Sequence, residues 1–409
     1  MVVWLGGLVL GVIKAAANVV FALELQRAVF GWVKPSTIKA VERAEQRILA
    51  RVGCELDHVW VPVRGGHVIH TLVASGGEKG AQWQQQQQPV IVLLHGHSMS
   101  SAFFYRNFDH LVEMGFRVYA PDLLGWARSS RPPFEGHDPL ASVDFFVNSL
   151  TDWADELGLG RFVLLGHSLG AYVAHTFASR NPERVLHLSL IAPAAIRREL
   201  ALYRAFYFSI TPQAAARRGG LLGYLLFLIK FPKLESYVRD RMRDYTWALA
   251  SQPGEGSGDF AVRNMIRWKS PLAAECQLSL VETMRPLNIP VCLIGARNDA
   301  LVPMAHVEEL YTTYVAHQVA CTLYTMDTDH CPHFEDPTLF AEILFAEVST
   351  KVPSLALRRP FPPLVLDVQA QKLRLNSDDD EDDTFSDPSK FQIRRHSIQG
   401  RAEVQWTLL

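Results

Sequence analysis

Residues 162–178 read FVLLGHSLGAYVAHTFA, and this stretch limits the fold more than any other part of the chain. An apolar run, FVLLG, leads straight into Gly166-His167-Ser168-Leu169-Gly170, and a helical pattern follows. A strand that turns directly into a helix leaves the serine on a tight bend, where side chains two residues to either side would collide. Both places hold glycine. The hydroxyl is thereby lifted clear, and the first N–H groups of the helix point at any negative charge that develops beside it. Ser168 is the candidate nucleophile, with Gly166 and Gly170 forming its elbow.

A strand that passes directly into a helix belongs in a parallel sheet, and the rest of the chain supplies one. VIVLL (90–94), FRVYA (116–120), LHLSLIA (186–192), VCLIG (291–295) and ACTLYTM (320–326) are short, nearly continuous apolar runs. Strands covered on both faces have this composition, and the helical stretches between them serve as crossovers. Ahead of them, HVWVPV and HVIHTLV flank Arg64-Gly65-Gly66 and read as a hairpin. The expected architecture is α/β, a mostly parallel sheet with helices on both faces. Its core is expected over residues 56–195 and 287–348. The interval 196–286 is too long for one crossover and reads as an inserted helical cap.

Serine is a weak nucleophile unless a base, itself held by an acid, takes its proton. VCLIG is followed by ARNDALVP, which puts Asp299 in the loop after a buried strand. ACTLYTM is followed by DTDHCPHFEDP, which puts His330 after the last one. Open α/β sheets build their sites at this carboxyl edge. His333 competes with His330, but it lies nearer the entry of the helix expected at Pro337 and reads as a packing residue. Asp327 and Asp329 are too close to His330 along the backbone to orient its ring. Two N–H donors are needed for an oxyanion. Leu169 supplies one. The loop His95-Gly96-His97-Ser98 after the first parallel strand supplies the other, from His97. His95 and Asp122 read as structural.

The segments HGHSMSS, PDLLGWARSS, GHSLG, GARNDALVP and DHCPHFEDP occur in the order and spacing of the α/β-hydrolase superfamily, which the chain resembles over roughly residues 56–348. Within it, the chain is similar to hydrolase-domain lipases and lysophospholipase/acyltransferase-like lipid enzymes. The resemblance implies a Ser-His-Asp serine hydrolase acting on carboxylic esters, with an acylglycerol or lysophospholipid as substrate. Other activities of the superfamily stay open: a carboxylesterase for soluble substrates, epoxide or C–C bond hydrolysis, acyl transfer, or a non-catalytic coactivator at a lipid surface. Two places depart from the lipid-enzyme pattern. The H-x-x-x-x-D element reads His330-x-x-x-x-Glu335, and the glycine before the histidine is Asp329.

Residues 1–24 are apolar apart from Lys14 and Glu24, close to the 20 or so residues a spanning helix needs. A membrane anchor is the favoured reading over a signal peptide, which would want a basic start, or a buried helix. Lys34, Lys39, Arg43 and Arg47 follow it, so the positive-inside rule leaves the catalytic body cytoplasmic. Residues 25–55 read as an amphipathic helical lead-in. A cap run from Leu221 to Ile229 beside Lys230 fits either a buried helix or a lipid-docking face. Residues 349–409, with an acidic block and then a basic patch, read as a disordered tail. Net charge of -2 gives no general attraction to nucleic acid. The five scattered cysteines lack metal-ligand spacing and read as reduced thiols, and no metal or cofactor is expected. The expected partners are a lipid or ester substrate and a membrane surface.

Overall fold

The computed structural model describes residues 36–76, 88–136, 138–200, 242–252, 256–270, 273–283 and 287–358, with short stretches at 364–367, 372–375 and 391–395. The expected anchor (1–24) and the apolar cap run 221–229 lie outside these residues. Among the described residues, no helix is long and apolar enough to cross a membrane.

The chain divides into two compact units. One comprises Met1–Ile48 and Phe206–Glu255. In its described part, the lead-in helix from Ile38 carries buried Glu45, whose carboxylate accepts the Tyr245 hydroxyl at 2.9 Å from the helix Met242–Ala250. Ser36 and Ser251 pair through their hydroxyls at 2.8 Å.

The other unit, Leu49–Ala205 with Gly256–Leu409, holds the main sheet. Its strands are β1 (Glu55–Val63), β2 (His67–Ser75), β3 (Val90–Leu94), β4 (Arg117–Pro121), β5 (Phe162–His167), β6 (Val185–Ile191), β10 (Val291–Ala296), β11 (Cys321–Met326) and β14 (Phe391–Arg395). They lie side by side as β1-β2-β4-β3-β5-β6-β10-β11-β14. From β4 to β11 every neighbour is parallel, whereas the hairpin β1–β2, the β2–β4 pair and the final β11–β14 pair are antiparallel. Each apolar run of the sequence becomes one of the parallel strands. Every residue of β5, β10 and β11 is buried, the pattern of strands covered on both faces.

Helices flank this sheet for local reasons. Asp138 caps Pro139–Glu156 by accepting the Ala141 N–H at 2.8 Å, and proline opens the helix where an N–H has no partner to lose. Asp336 and Pro337 do the same for Pro337–Lys351, where Asp336 accepts the Leu339 N–H at 3.1 Å. Trp153 is fully buried and spends its indole N–H on Thr71 Oγ1 at 2.9 Å, so no polar atom is left stranded.

Two regions depart from the expectation. The described part of the cap contains helices Ser257–Asn264 and Leu280–Thr283, and also a three-stranded sheet: β7 (Glu199–Leu200), β9 (Ala273–Cys276) and β8 (Ile266–Ser270), in that order. These strands are short, and β8 (IRWKS) is exposed from its second residue onward, so no apolar alternation marks it. The expected tail begins inside a helix that runs on to Lys351. Beyond it, Leu364–Asp367 (β12) pairs with Lys372–Leu375 (β13), and β14 covers the otherwise open edge of β11.

Candidate active site

The turn between β5 and the helix Leu169–Arg180 shows why glycine stands at 166 and 170. A Cβ on Gly166 would lie 2.3 Å from the Gly170 carbonyl oxygen, and one on Gly170 would lie 2.2 Å from the Leu94 oxygen. Helix and sheet are thus in backbone contact. Ser168 between them takes φ 53°, ψ −116°, a left-handed-side conformation that a side chain rarely accepts. Backbone bonds hold it there. Its N–H donates to Ile191 at 2.9 Å, and its carbonyl accepts from Ala171 (3.0 Å), Ala194 (3.1 Å) and Tyr172 (3.2 Å).

Three side chains distant in sequence meet at this bend. His330 Nε2 lies 3.0 Å from Ser168 Oγ, and His330 Nδ1 lies 2.7 Å from Asp299 Oδ2. Asp299 enters from the loop after β10 with its side chain fully buried, and its other oxygen accepts the N–H groups of Leu301 (2.7 Å) and Val302 (2.8 Å). A carboxylate holding two backbone donors on one oxygen presents the other in a fixed direction, here toward the imidazole. Nδ1 therefore carries the hydrogen, and Nε2 faces the serine hydroxyl as an acceptor.

The second histidine of this loop is elsewhere. His333 is buried against Phe104 and His167, with ring centroids 5.0 and 4.6 Å away. Burial, reinforced by the neighbouring His330, lowers its pKa to about 3, so it stays neutral. His167, within the elbow itself, was not singled out from the sequence. Its Nε2–H donates to the His330 carbonyl oxygen at 2.8 Å, tying strand β5 to the loop that carries the histidine. Burial, and then the neighbouring His333 ring, push His167 well below its ordinary value, which keeps it a neutral donor. Glu335 completes the support. Its carboxylate accepts the Asp329 N–H at 2.9 Å and the Cys331 N–H at 3.2 Å, the two peptides flanking His330. Burial raises the Glu335 carboxyl, and the two donors oppose that rise.

Of the nominated oxyanion donors, Leu169 follows the serine directly, and the loop before His97 approaches the elbow, where a Cβ on Gly96 would lie 2.8 Å from His167 Nδ1. Leu169 opens the helix, so its N–H has no partner within that helix. The loop leading to His97 follows β3, whose last carbonyl, at Leu94, faces Gly170 across the elbow. The His97 side chain is buried, with Nδ1 2.8 Å from Ser98 Oγ and Nε2 3.5 Å from Asp259. His95 is a tie between loops: Nδ1–H donates to Gly96 O at 2.8 Å, and Nε2 accepts the Leu123 N–H at 2.9 Å.

Asp122 is a brace as well. Its buried carboxylate accepts the Ser101 N–H at 2.7 Å and pairs with His70 Nδ1 at 2.8 Å. Burial by itself would raise Asp122, yet the bond and charge of His70 hold it at about 2. Asp327 accepts from the Asn298 amide at 3.0 Å. All five cysteines are free. Cys331, beside the histidine, is pushed well above its ordinary value by burial, so it presents a thiol rather than a thiolate.

A serine, a histidine with an acceptor nitrogen and a buried carboxylate, in line and within hydrogen-bond distance, form a relay able to move a proton off a hydroxyl. Comparison with known proteins agrees with the architecture: a profile of the alpha/beta hydrolase fold matches residues 89–337. The chain belongs to the α/β-hydrolase family. Among its relatives, this α/β hydrolase is 35% identical over 288 residues to human 1-acylglycerol-3-phosphate O-acyltransferase ABHD5, covering 64% of this chain and 77% of that protein. It is 39% identical over 137 residues to a 1-acylglycerol-3-phosphate O-acyltransferase of Arabidopsis thaliana, covering 34% of this chain and 32% of that one. A (lyso)-N-acylphosphatidylethanolamine lipase of Mus musculus matches at 30% over 177 residues, 42% of this chain and 49% of the lipase. The match to the first two plant relatives thus spans about a third of their length or less. Solved structures of similar fold include a bacterial membrane phospholipase A (TM-score 0.56, 21% identity, 86% of this chain and 99% of that one) and carboxylesterase CesB of Bacillus subtilis (TM-score 0.56, 19% identity, 76% and 98%).

Proposed function

We propose that this α/β hydrolase is a serine esterase that cleaves lipid esters, an acylglycerol or lysophospholipid, through an acyl-enzyme on Ser168. The observation that carries the reading is the continuous relay from Asp299 through His330 to Ser168, at 2.7 and 3.0 Å. In this mechanism His330 Nε2 takes the Ser168 proton as Oγ attacks the ester carbonyl. The N–H groups of Leu169 and His97 receive the oxyanion, and His330 returns the proton to the departing alcohol. The imidazolium formed between is stabilised by the Asp299 carboxylate. A second passage through the same relay, with water or an acceptor alcohol as nucleophile, frees the acyl group. The lipid class is supported by the relatives' names, two of which specify acylglycerol phosphates and one a phosphatidylethanolamine derivative. An apolar segment at residues 1–24 fits an anchor that keeps the catalytic body at the cytoplasmic face of a membrane.

The test is labelling of the full chain by a fluorophosphonate, with hydrolysis of esters of rising acyl length measured in parallel. Labelling of wild type and none of Ser168→Ala, with turnover lowered by about 10⁴-fold or more, is expected. An intact protein that neither labels nor hydrolyses any ester, with Ser168→Ala indistinguishable from wild type, would overturn the enzyme reading and leave a lipid-surface coactivator. Equal rates on short and long esters would overturn the lipid preference.

A further inference from the structure

The loop that follows β3 is tied to the loop after β4 at both ends. His95 Nε2 accepts the Leu123 N–H at 2.9 Å, and Asp122 accepts the Ser101 N–H at 2.7 Å. Between these ties the backbone turns at Ser98 with φ 67°, a left-handed conformation that a residue with a Cβ seldom adopts. The Met99 N–H spans the turn by donating to Gly96 O at 3.2 Å. The His97 side chain adds a further support, with Nδ1 2.8 Å from Ser98 Oγ.

The other edge of that ring faces the cap. Asp259 is the third residue of the helix Ser257–Asn264, and its Oδ1 lies 3.5 Å from His97 Nε2. An aspartate in a first helical turn ordinarily serves the helix dipole from the surface. This one is 3% exposed. The packing around it is close: a Cβ on Gly125 would lie 2.3 Å from Gly258 N, and one on Gly258 would lie 2.2 Å from Trp126 Nε1. The Trp126 and His97 rings meet edge to face, with centroids 5.0 Å apart and planes at 75°. A shift of this helix is thus felt by Trp126 and, through it, by the imidazole.

At 3.5 Å the carboxylate is beyond a good hydrogen bond and acts on the ring through its field. Both side chains are buried, so little solvent screens that field. Negative charge beside Nε2 favours the tautomer that carries its hydrogen there. In the neutral ring Nδ1 is then the acceptor, and the Ser98 hydroxyl donates to it. Asp259, His97 and Ser98 so form a string with a single order of donors. It ends on the turn that follows the nominated His97 N–H.

We propose that Asp259 is a positioning residue of the candidate active site: through the His97 ring and the Ser98 hydroxyl it sets the turn that presents the His97 N–H to the oxyanion. This deepens the esterase reading and rests on it.

The test uses the full chain as wild type, Asp259→Asn, His97→Ala and the two substitutions combined. Active sites are counted by fluorophosphonate labelling carried to completion, so that unfolded protein does not enter the rates. Asp259→Asn should lower kcat on a p-nitrophenyl ester and the rate of labelling by about tenfold with KM little changed, less than the ~10²–10³ lost with a whole oxyanion donor. His97→Ala keeps the peptide N–H and removes the ring, and in that background Asp259→Asn should cost less than about twofold more, because its route is gone. A residue that only stabilised the helix would lower the number of active sites and leave the rate at each unchanged. Nitrogen NMR of the His97 ring, assigned by its loss in His97→Ala, reads the tautomer without turnover: hydrogen on Nε2 in wild type and a mixture in Asp259→Asn are expected. The wild-type spectrum decides should Asp259→Asn fail to fold. A wild-type ring with its hydrogen on Nδ1, an unchanged rate per site in Asp259→Asn, or an equal loss in both backgrounds overturns the proposal and leaves the esterase reading standing. A wild type that does not label at all sinks the esterase reading and this proposal with it.

Discussion

Replacing Asp299 with asparagine should lower turnover by about four orders of magnitude, because the two oxygens of this carboxylate have different tasks. Oδ1 accepts the N–H groups of Leu301 and Val302, and Oδ2 accepts His330 Nδ1–H. Asparagine has one acceptor oxygen and one NH₂ group to divide between these positions. With the oxygen toward His330, two buried backbone donors face an amide that cannot accept, and each orphaned donor costs about 1–3 kcal/mol. With the oxygen toward the loop, both of those bonds survive and a single contact, to Nδ1, is disturbed. The second arrangement therefore wins. It places the NH₂ against Nδ1, which must then accept, and the single proton of the neutral imidazole moves to Nε2. That nitrogen is 3.0 Å from Ser168 Oγ and can no longer take the hydroxyl proton. A tautomer error of this kind is worth about 10⁴ in kcat, or roughly 5.5 kcal/mol of barrier. Steady-state hydrolysis of a p-nitrophenyl ester measures it, with thermal melting of both proteins to exclude unfolding. An Asp299→Asn protein that melts like wild type and turns over within tenfold of it would refute this division of roles.

Gly170→Ala should destabilise the fold by about 1–3 kcal/mol or more, since its methyl would meet the backbone oxygens of Leu94 and His95 at 2.2 and 2.5 Å, and neither can rotate away. Denaturant unfolding checks it, and a loss below 0.5 kcal/mol, the ~0.5 kcal/mol scatter of surface substitutions, would contradict the close approach. Glu342 gives a pH signature: burial, with Asp336 adding to it, raises its carboxyl from 4.5 to about 7. Between those values the folded chain keeps a proton that the unfolded chain has released, so stability falls as pH rises through the window, by up to about 3 kcal/mol. Glu342→Gln should therefore stabilise the protein at pH 8 and change little at pH 4.5. An equal gain at both pH values would show that ionisation is not the cause.

The parts of this molecule that could be read from sequence are those whose physical cause is local. β5, β10 and β11 are buried on both faces, so their apolar runs are unbroken and visible. The elbow is visible because two glycines and a serine must share five residues. Asp299 and His330 follow from strand ends, a matter of counting along the chain. The sheet β7-β9-β8 has no such mark, because Glu275 gathers side chains from β8 and from Arg198, just ahead of β7. His167 was silent for a similar reason. It looks like a polar residue at the end of an apolar strand, and its purpose is a hydrogen bond to a carbonyl 163 residues away.

The place of Glu335 changes how its departure from the acyltransferase-like element should be weighed. A carboxylate five residues after the histidine invites a role in moving protons. Here both of its oxygens are engaged by backbone N–H groups, those of Asp329 and Cys331, on either side of His330. Its contact is with the loop that carries the imidazole, while the proposed proton transfer is between Ser168 Oγ and Nε2, with Nδ1–H held by Asp299. The extra methylene of glutamate over aspartate sets the reach of that brace and does not alter the relay. If Ser168 forms the proposed acyl-enzyme, the balance between hydrolysis and transfer is decided there, by whether water or an alcohol holds the position facing Nε2. Water is present at about 55 M, so an alcohol competes only if it is bound in place, where orientation gives effective concentrations of 10⁵ M or more. On the proposed acyl-enzyme route, acceptor binding rather than the identity of residue 335 would decide whether transfer occurs.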